Sequence, residues 1–187
     1  NTTEPVNISI LGDLQGPKLR VGEIENNALE VFPGDVLTFT NEKVVGTLER
    51  IYVSYPNLHQ DVKVGNKIMI DDGKMEVKVI SVEKNNDVKV EVTMGGIISS
   101  KKGINLPDTA ISLPALTDKD LVDLEFIIEQ KLDWVALSFV RNVKDLVGLR
   151  AKLTEKNSKT KIIAKIEKPE ALVNIRDIII ESDGIMV

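Results

Sequence analysis

The feature that most constrains the fold is a change of hydrophobic period near residue 114, because alternating strands and helices at a 3.6-residue repeat bury their apolar faces in different ways. From Val21 to about Ser112 the sequence is a series of short alternating runs, among them Leu29-Glu-Val-Phe, Val36-Leu-Thr-Phe, Lys67-Ile-Met-Ile, Met75-Glu-Val-Lys-Val-Ile and Val88-Lys-Val-Glu-Val. Pro33-Gly34, Asp72-Gly73 and Asn85-Asn86-Asp87 separate them, and each is a turn signal because its residues preset a bend or tolerate positive φ. Strands at this spacing predict a small antiparallel barrel or sandwich.

After Pro114 the pattern is helical. Thr117-Asp-Lys-Asp120 reads as a capping box ahead of an apolar stripe of Leu121, Leu124, Ile127 and Ile128. A buried-type strand, Trp134 to Val140, leads to Asn142 as an N-cap and to a helix carrying Leu146, Leu149 and Leu153. Strand Lys161 to Glu167, a helix from Pro169 to about Ile180 and a last strand, Gly184 to Val187, complete the series. With the apolar run Asn7 to Asp13, these give four strands that alternation with helices predicts to be parallel.

The expected fold is therefore α/β plus all-β: a partial (β/α)8 TIM barrel with an inserted small antiparallel β-barrel. The expected domains are a barrel strand in residues 1–15, the insert in 16–113 and the partial barrel in 114–187. An open α/β sheet with an insert is the competing fold. At 187 residues the chain is shorter than the roughly 250 of a complete barrel, and ending on an uncovered apolar strand it reads as a truncated piece of a larger protein. Its exposed barrel edges would then favour pairing with a second copy.

Composition removes several functions. Zero cysteines exclude thiolate metal sites, disulfides and cysteine nucleophiles, and a single histidine, His59, excludes a multi-histidine metal cluster within the chain. A metal here must be a hard cation held by oxygen. A net charge of −5 and few aromatic residues (Trp 1, Tyr 2, Phe 4) argue against nucleic acid as a partner, and no apolar run approaches a membrane span.

The residues that can carry chemistry lie at strand ends. Lys165 and Glu167 are two apart, so on a strand they share a face, and Pro169 places them where that strand yields to a helix. In parallel α/β folds this rim hosts catalysis, and an ammonium beside a carboxylate suits oxyanion stabilisation and a divalent metal; a solvated pair is the alternative. Ser138, Phe139 and Arg141 end the preceding strand, where Arg141 can meet an anionic substrate or form a structural ion pair. Asp13 ends the first strand, or caps the turn at Gly16. The Gly95 to Gly103 run lacks the residue order of a phosphate-binding P-loop, leaving Lys101 or Lys102 as a phosphate contact or a solvated basic turn. Asp71-Asp72-Gly73 reads better as a hairpin turn than as a metal site, and His59 receives no role.

Six segments in order, Gly12-Asp-Leu-Gln-Gly-Pro-Lys-Leu-Arg20, Asp71-Asp72-Gly73, Ser100-Lys-Lys-Gly-Ile-Asn-Leu-Pro107, Ser138-Phe-Val-Arg141, Lys165-Ile-Glu167 and Ser182-Asp-Gly-Ile-Met-Val187, resemble the pyruvate kinase family over the whole chain. The resemblance implies a mobile β-barrel lid inserted into a catalytic barrel, and a cytoplasmic, glycolytic phosphotransferase that moves a phosphoryl group from phosphoenolpyruvate to ADP, giving pyruvate and ATP. By the same resemblance Lys165 is the catalytic lysine, Glu167 a carboxylate for Mg2+ or Mn2+, and Asp13 a carboxylate of the monovalent-cation site. Arg20 and Lys102 contact nucleotide or phosphate, and Ser138, Phe139 and Arg141 line the site. A homotetrameric parent is implied as well.

Two departures qualify this. The family's Arg-Gly-Asp-Leu-Gly segment, with the second metal carboxylate, would begin just beyond Val187, and its Arg, Asn and Ser cluster would precede Asn1, so the fragment alone is expected to be inactive. Lys18 stands where potassium-dependent members have Glu; with Leu14, Gln15 and Val21 it resembles the potassium-independent type, its ammonium replacing the ion. Two other classes are a metal-dependent aldolase or lyase that stabilises a pyruvate enolate, and a non-enzymatic β-domain on an α/β scaffold.

Overall fold

The computed structural model describes residues 8–187, so the expected strand start at Asn7 lies outside the described residues. They form two compact units: residues up to Pro17 with Leu113–Val187, and Lys18–Ser112. In chain order, β1 is Leu11–Leu14, followed in the second unit by β2 Leu29–Val31, β3 Val36–Thr40, β4 Ile51–Tyr52, the one-turn helix α1 Leu58–Asp61, β5 Lys67–Ile70, β6 Met75–Val82, β7 Val88–Met94, β8 Gly96–Ile98 and β9 Ile104–Asn105. The first unit then resumes with α2 Asp118–Glu129, β10 Trp134–Leu137, α3 Val143–Glu155, β11 Lys161–Lys165, α4 Pro169–Val173, α5 Ile175–Glu181 and β12 Gly184–Met186.

The first unit is a parallel sheet in the order β1-β10-β11-β12. Of its two inner strands, β10 carries consecutive fully buried residues, Val135, Ala136 and Leu137, as a strand covered on both faces does. Ile162 and Ala164 of β11 join Leu124 and Ile127 of α2, Leu146, Leu149 and Leu153 of α3, and Ile178 of α5 in one core. A Cβ on Gly12 would collide with Ile127, so glycine lets α2 lie close against β1. The expected capping box exists: Thr117 accepts from the Asp120 amide, and the Asp120 carboxylate accepts from the Thr117 amide. Asn142 caps α3 through the Lys144 amide.

Four elements differ from expectation. Among the described residues the first strand, expected to span Asn7 to Asp13, begins at Leu11 and runs to Leu14. The strand expected to reach Val140 stops at Leu137, because Phe139 takes a φ of 56° that no strand accommodates. The strand expected to reach Glu167 stops at Lys165. The expected helix from Pro169 to Ile180 is two helices, broken at Asn174, whose side chain donates to the carbonyls of Glu170 and Arg141.

In the second unit a six-stranded sheet, β4-β3-β7-β6-β5-β9, accompanies a two-stranded pair, β2-β8. The pairings are antiparallel except β3 with β4, which run parallel. Met75, Val77 and Val79 of β6 and Val88, Val90 and Val92 of β7 point into a core with Leu37, Phe39, Ile68 and Ile70. The turn after β5 places Asp71, Asp72 and Gly73 at φ of 53°, 55° and 85°, and Asn86 turns the β6-β7 hairpin at 69°. His59, expected in a polar connection, lies in α1.

Candidate active site

Strand register brings the expected residues of the first unit together. Asp13 on β1 is level with Ala136 on β10 and, through it, with Ile163 on β11, so Lys165 stands one same-face step further along. There the Lys165 ammonium donates to both Asp13 oxygens, at 3.2 and 3.1 Å, and to Ser138 Oγ at 3.0 Å. Glu167 Oε1 lies 3.8 Å from the same nitrogen. The lysine side chain is 17% exposed against 52% for Asp13, so the cation is sheltered while the carboxylate that orients it faces solvent.

Phe139 connects two of these groups through its backbone. In its left-handed conformation its N–H donates to Glu167 Oε2 at 2.8 Å, fixing a carboxylate that has already left the strand. The ring packs over the Gly16 turn, where a φ of +67° favours glycine and a Cβ would come 3.1 Å from Phe139 Cδ2. The Gly16 amide donates to the buried Asp120 carboxylate, not to Asp13. Asp120 thus caps α2 and holds the turn after β1, a second task its place in a capping box gave no sign of.

Arg141 is committed elsewhere. Its guanidinium pairs with Asp145 at 3.2 Å and donates to the Leu113 carbonyl at 3.0 Å, folding it over the first turn of α3. Lys168, which the sequence reading passed over, sits 6.0 Å from the Phe139 ring centroid. Burial pushes its ammonium pKa down, with Glu170 opposing and Arg141 reinforcing that shift. Its only sequence signal is adjacency to Glu167.

In the second unit Lys102 pairs with Asp71 at 3.0 Å, and Lys74 pairs with the other oxygen at 2.9 Å. Lys74, then Lys102, hold the Asp71 carboxyl below its ordinary pKa. A turn carboxylate shared by two ammoniums ties the Lys102 loop to that turn and leaves little charge for a metal. Arg20 Nη1 donates to the Lys101 carbonyl at 2.9 Å, tying the chain after the Gly-Pro turn to that loop. Lys18 is exposed and makes no ion pair among the described residues.

Among the described residues no three His, Cys, Asp or Glu side chains converge as a metal cage. Glu167 still suits Mg2+, which is commonly held by one or two carboxylates and completed by water and substrate phosphate oxygens. Its Oε2 is fixed by the Phe139 amide, and Oε1 lies 3.8 Å from the Lys165 ammonium. Around it the first unit supplies a sheltered cation, two carboxylates and a hydroxyl, an arrangement that can bind a phosphorylated anion and stabilise charge as it moves. No helix among the described residues is long and apolar enough to cross a membrane.

The family model described as pyruvate kinase, barrel domain, matches residues 1–187. A pyruvate kinase from Corynebacterium efficiens is 41% identical over 180 residues, covering 96% of this chain and 38% of that protein. One from Geobacillus stearothermophilus is 40% identical over 182 residues, covering 96% of this chain and 31% of the relative. The crystal structure of a pyruvate kinase from Cryptosporidium parvum superimposes with a TM-score of 0.87 at 34% identity, over 96% of this chain and 38% of that one. The chain thus spans less than two-fifths of the length of these relatives. With a family match over its full length and a parallel sheet whose strand ends converge on Lys165, the chain belongs to the pyruvate kinase family.

Proposed function

We propose that the protein containing this sequence transfers the phosphoryl group of phosphoenolpyruvate to ADP. The bond from phosphorus to the enol oxygen breaks, a terminal ADP oxygen forms the new bond, and the enolate left behind takes one proton at its methylene carbon to become pyruvate. Phosphoryl transfer asks little covalent chemistry of a protein and much positioning and charge stabilisation. The observation that carries the proposal is the Lys165 ammonium, held within 3.2 Å of Asp13 and Ser138 at the strand ends.

Lys165 meets the charge that moves from phosphate to enol oxygen, while Asp13 and Ser138 keep its amine pointed there. Glu167, aimed by the Phe139 amide, is the carboxylate for Mg2+ or Mn2+, which when bound neutralises phosphate and enolate oxygens. Phe139 and Ser138 line the pocket; Arg141 supports its wall through Asp145. Arg20 and Lys102, on a β-rich lid of barrel type spanning about residues 16–113, contact the nucleotide. Lys18, with Leu14, Gln15 and Val21, makes the enzyme independent of potassium, since an ammonium supplies the same unit charge as the ion. The homotetramer and the cytoplasmic, glycolytic setting belong to the same proposal and rest on family membership.

The test is formation of pyruvate from phosphoenolpyruvate and ADP by the full-length protein, in potassium and in a bulky organic-cation salt at equal ionic strength. Equal rates in both salts are expected. No pyruvate in either would overturn the proposed reaction, and a strong potassium requirement would overturn the role of Lys18 alone.

A further inference from the structure

The opposite end of the parallel sheet carries an assembly that the phosphoryl-transfer reading does not use. At the amino-terminal ends of β10 and β11 a cavity of about 670 Å³ is lined by Lys131, Lys156, Lys159 and Lys161 together with Trp134 and Asp133. That volume is in the range of small-molecule sites.

The charge of this cavity is unbalanced. Asp133 is its one carboxylate, and an oxygen of it accepts the Ile10 amide at 2.8 Å. Lys156 is matched by Glu125 at 2.9 Å, and Lys161 lies 5.0 Å from the Trp134 ring centroid. Lys131 and Lys159 are exposed, and their ammonium groups make no hydrogen bond or ion pair among the described residues. The carbonyl ends of α2 and α3 account for Lys131 and Lys156, since cations favour helix C-termini. They do not account for Lys159 or Lys161, which stand on the following loop and strand.

The remaining polar groups narrow the ligand. The Thr160 hydroxyl donates to the Leu132 carbonyl at 2.9 Å, so the Ser158 hydroxyl, 2.9 Å away, gives its proton to Thr160. These two hydroxyls are used internally, and the four lysine ammoniums are the charged donors of the cavity. Ammonium groups without carboxylate partners select an anion by charge, and several together favour more than one negative charge.

We propose that this cavity binds a small phosphate compound of at least two negative charges, at a place distinct from the strand-end site. The chain contains one tryptophan, Trp134, so its fluorescence reports this cavity alone. Inorganic pyrophosphate is titrated into the chain at constant ionic strength, with sodium sulfate as the control dianion, for wild type and for the double variant Lys131→Glu with Lys159→Glu. Both positions are exposed, so the fold tolerates the change, and Lys159→Gln serves as a milder second variant. Saturable fluorescence change with pyrophosphate is expected, weakened roughly 10-fold or more in the double variant and less in Lys159→Gln. No saturable change, an equal response to sulfate, or undiminished affinity in both variants would overturn the proposal.

Discussion

Lys165 in the barrel unit and Lys102 in the β-rich unit are both ammoniums held by aspartates, yet they are held in different ways. Lys165 is 17% exposed, is fixed by strand register and has three oxygen partners on two other strand ends. Lys102 is 38% exposed and has one carboxylate, Asp71, which it shares with Lys74 on a turn of positive-φ residues. A sheet positions a group with the rigidity of its whole ladder, whereas a turn positions it with only its own few hydrogen bonds. The first suits stabilising a transition state and the second suits grasping a ligand that must also leave.

Substitution should separate the two lysines. If the full-length protein carries out the proposed reaction, Lys165→Met is expected to lower kcat on the order of 100-fold or more, with little change in KM, because the charge it would meet develops as the phosphoryl group moves. An unchanged kcat would remove Lys165 from the chemistry. Lys102→Met is expected to raise KM for ADP by about 10-fold and to leave kcat within a factor of about two, as loss of one exposed charge contact does. A kcat loss matching that of Lys165→Met would erase the contrast.

Smaller effects test what holds each lysine in place. Thr117→Ala removes one side of the capping box that also fixes the Gly16 turn through Asp120, and should cost about 1 kcal/mol in urea unfolding of the chain. An unaltered unfolding midpoint would show that the turn does not depend on the cap. The least effect concerns acid. The Asp71 carboxyl is held below its ordinary value by Lys74 and then Lys102, so its contribution is present above the unfolded pKa and is lost as pH falls through the lower folded value. Lys74→Met should lower the stability of the β-rich unit slightly at neutral pH and leave less of it to be lost in acid, readable by hydrogen exchange in β5 and β6 at neutral and acid pH.

The sequence makes local signals legible and tertiary ones not. Thr117 and Asp120, Asn142, and the Asp72-Gly73 turn are readable because a cap or turn depends on residues a few positions apart. Phe139 is not, because a bulky residue at positive φ is held by a carboxylate 28 positions away, and its sequence reads as continued strand. Asn174 breaks a helix by bonding to a carbonyl in another segment, Arg141, as well as to its own. The parallel β3-β4 pair within an otherwise antiparallel sheet, and the diversion of Arg141 to Asp145, likewise follow from where distant segments meet. The candidate site was legible as residue types at strand ends; that Lys165, not another cation, sits on Asp13 needed the register.

The claim that most depends on all of this is that the strand ends hold a metal-assisted phosphoryl-transfer site. The most direct measurement is the rate of pyruvate formation from phosphoenolpyruvate and ADP by the full-length protein as Mg2+ is varied, for wild type and Glu167→Gln. Saturable activation by Mg2+ is expected in wild type, and in Glu167→Gln a lower maximal rate that also needs more metal. Wild-type activity indifferent to Mg2+, or a Glu167→Gln enzyme with the same rate and the same Mg2+ dependence, would contradict it.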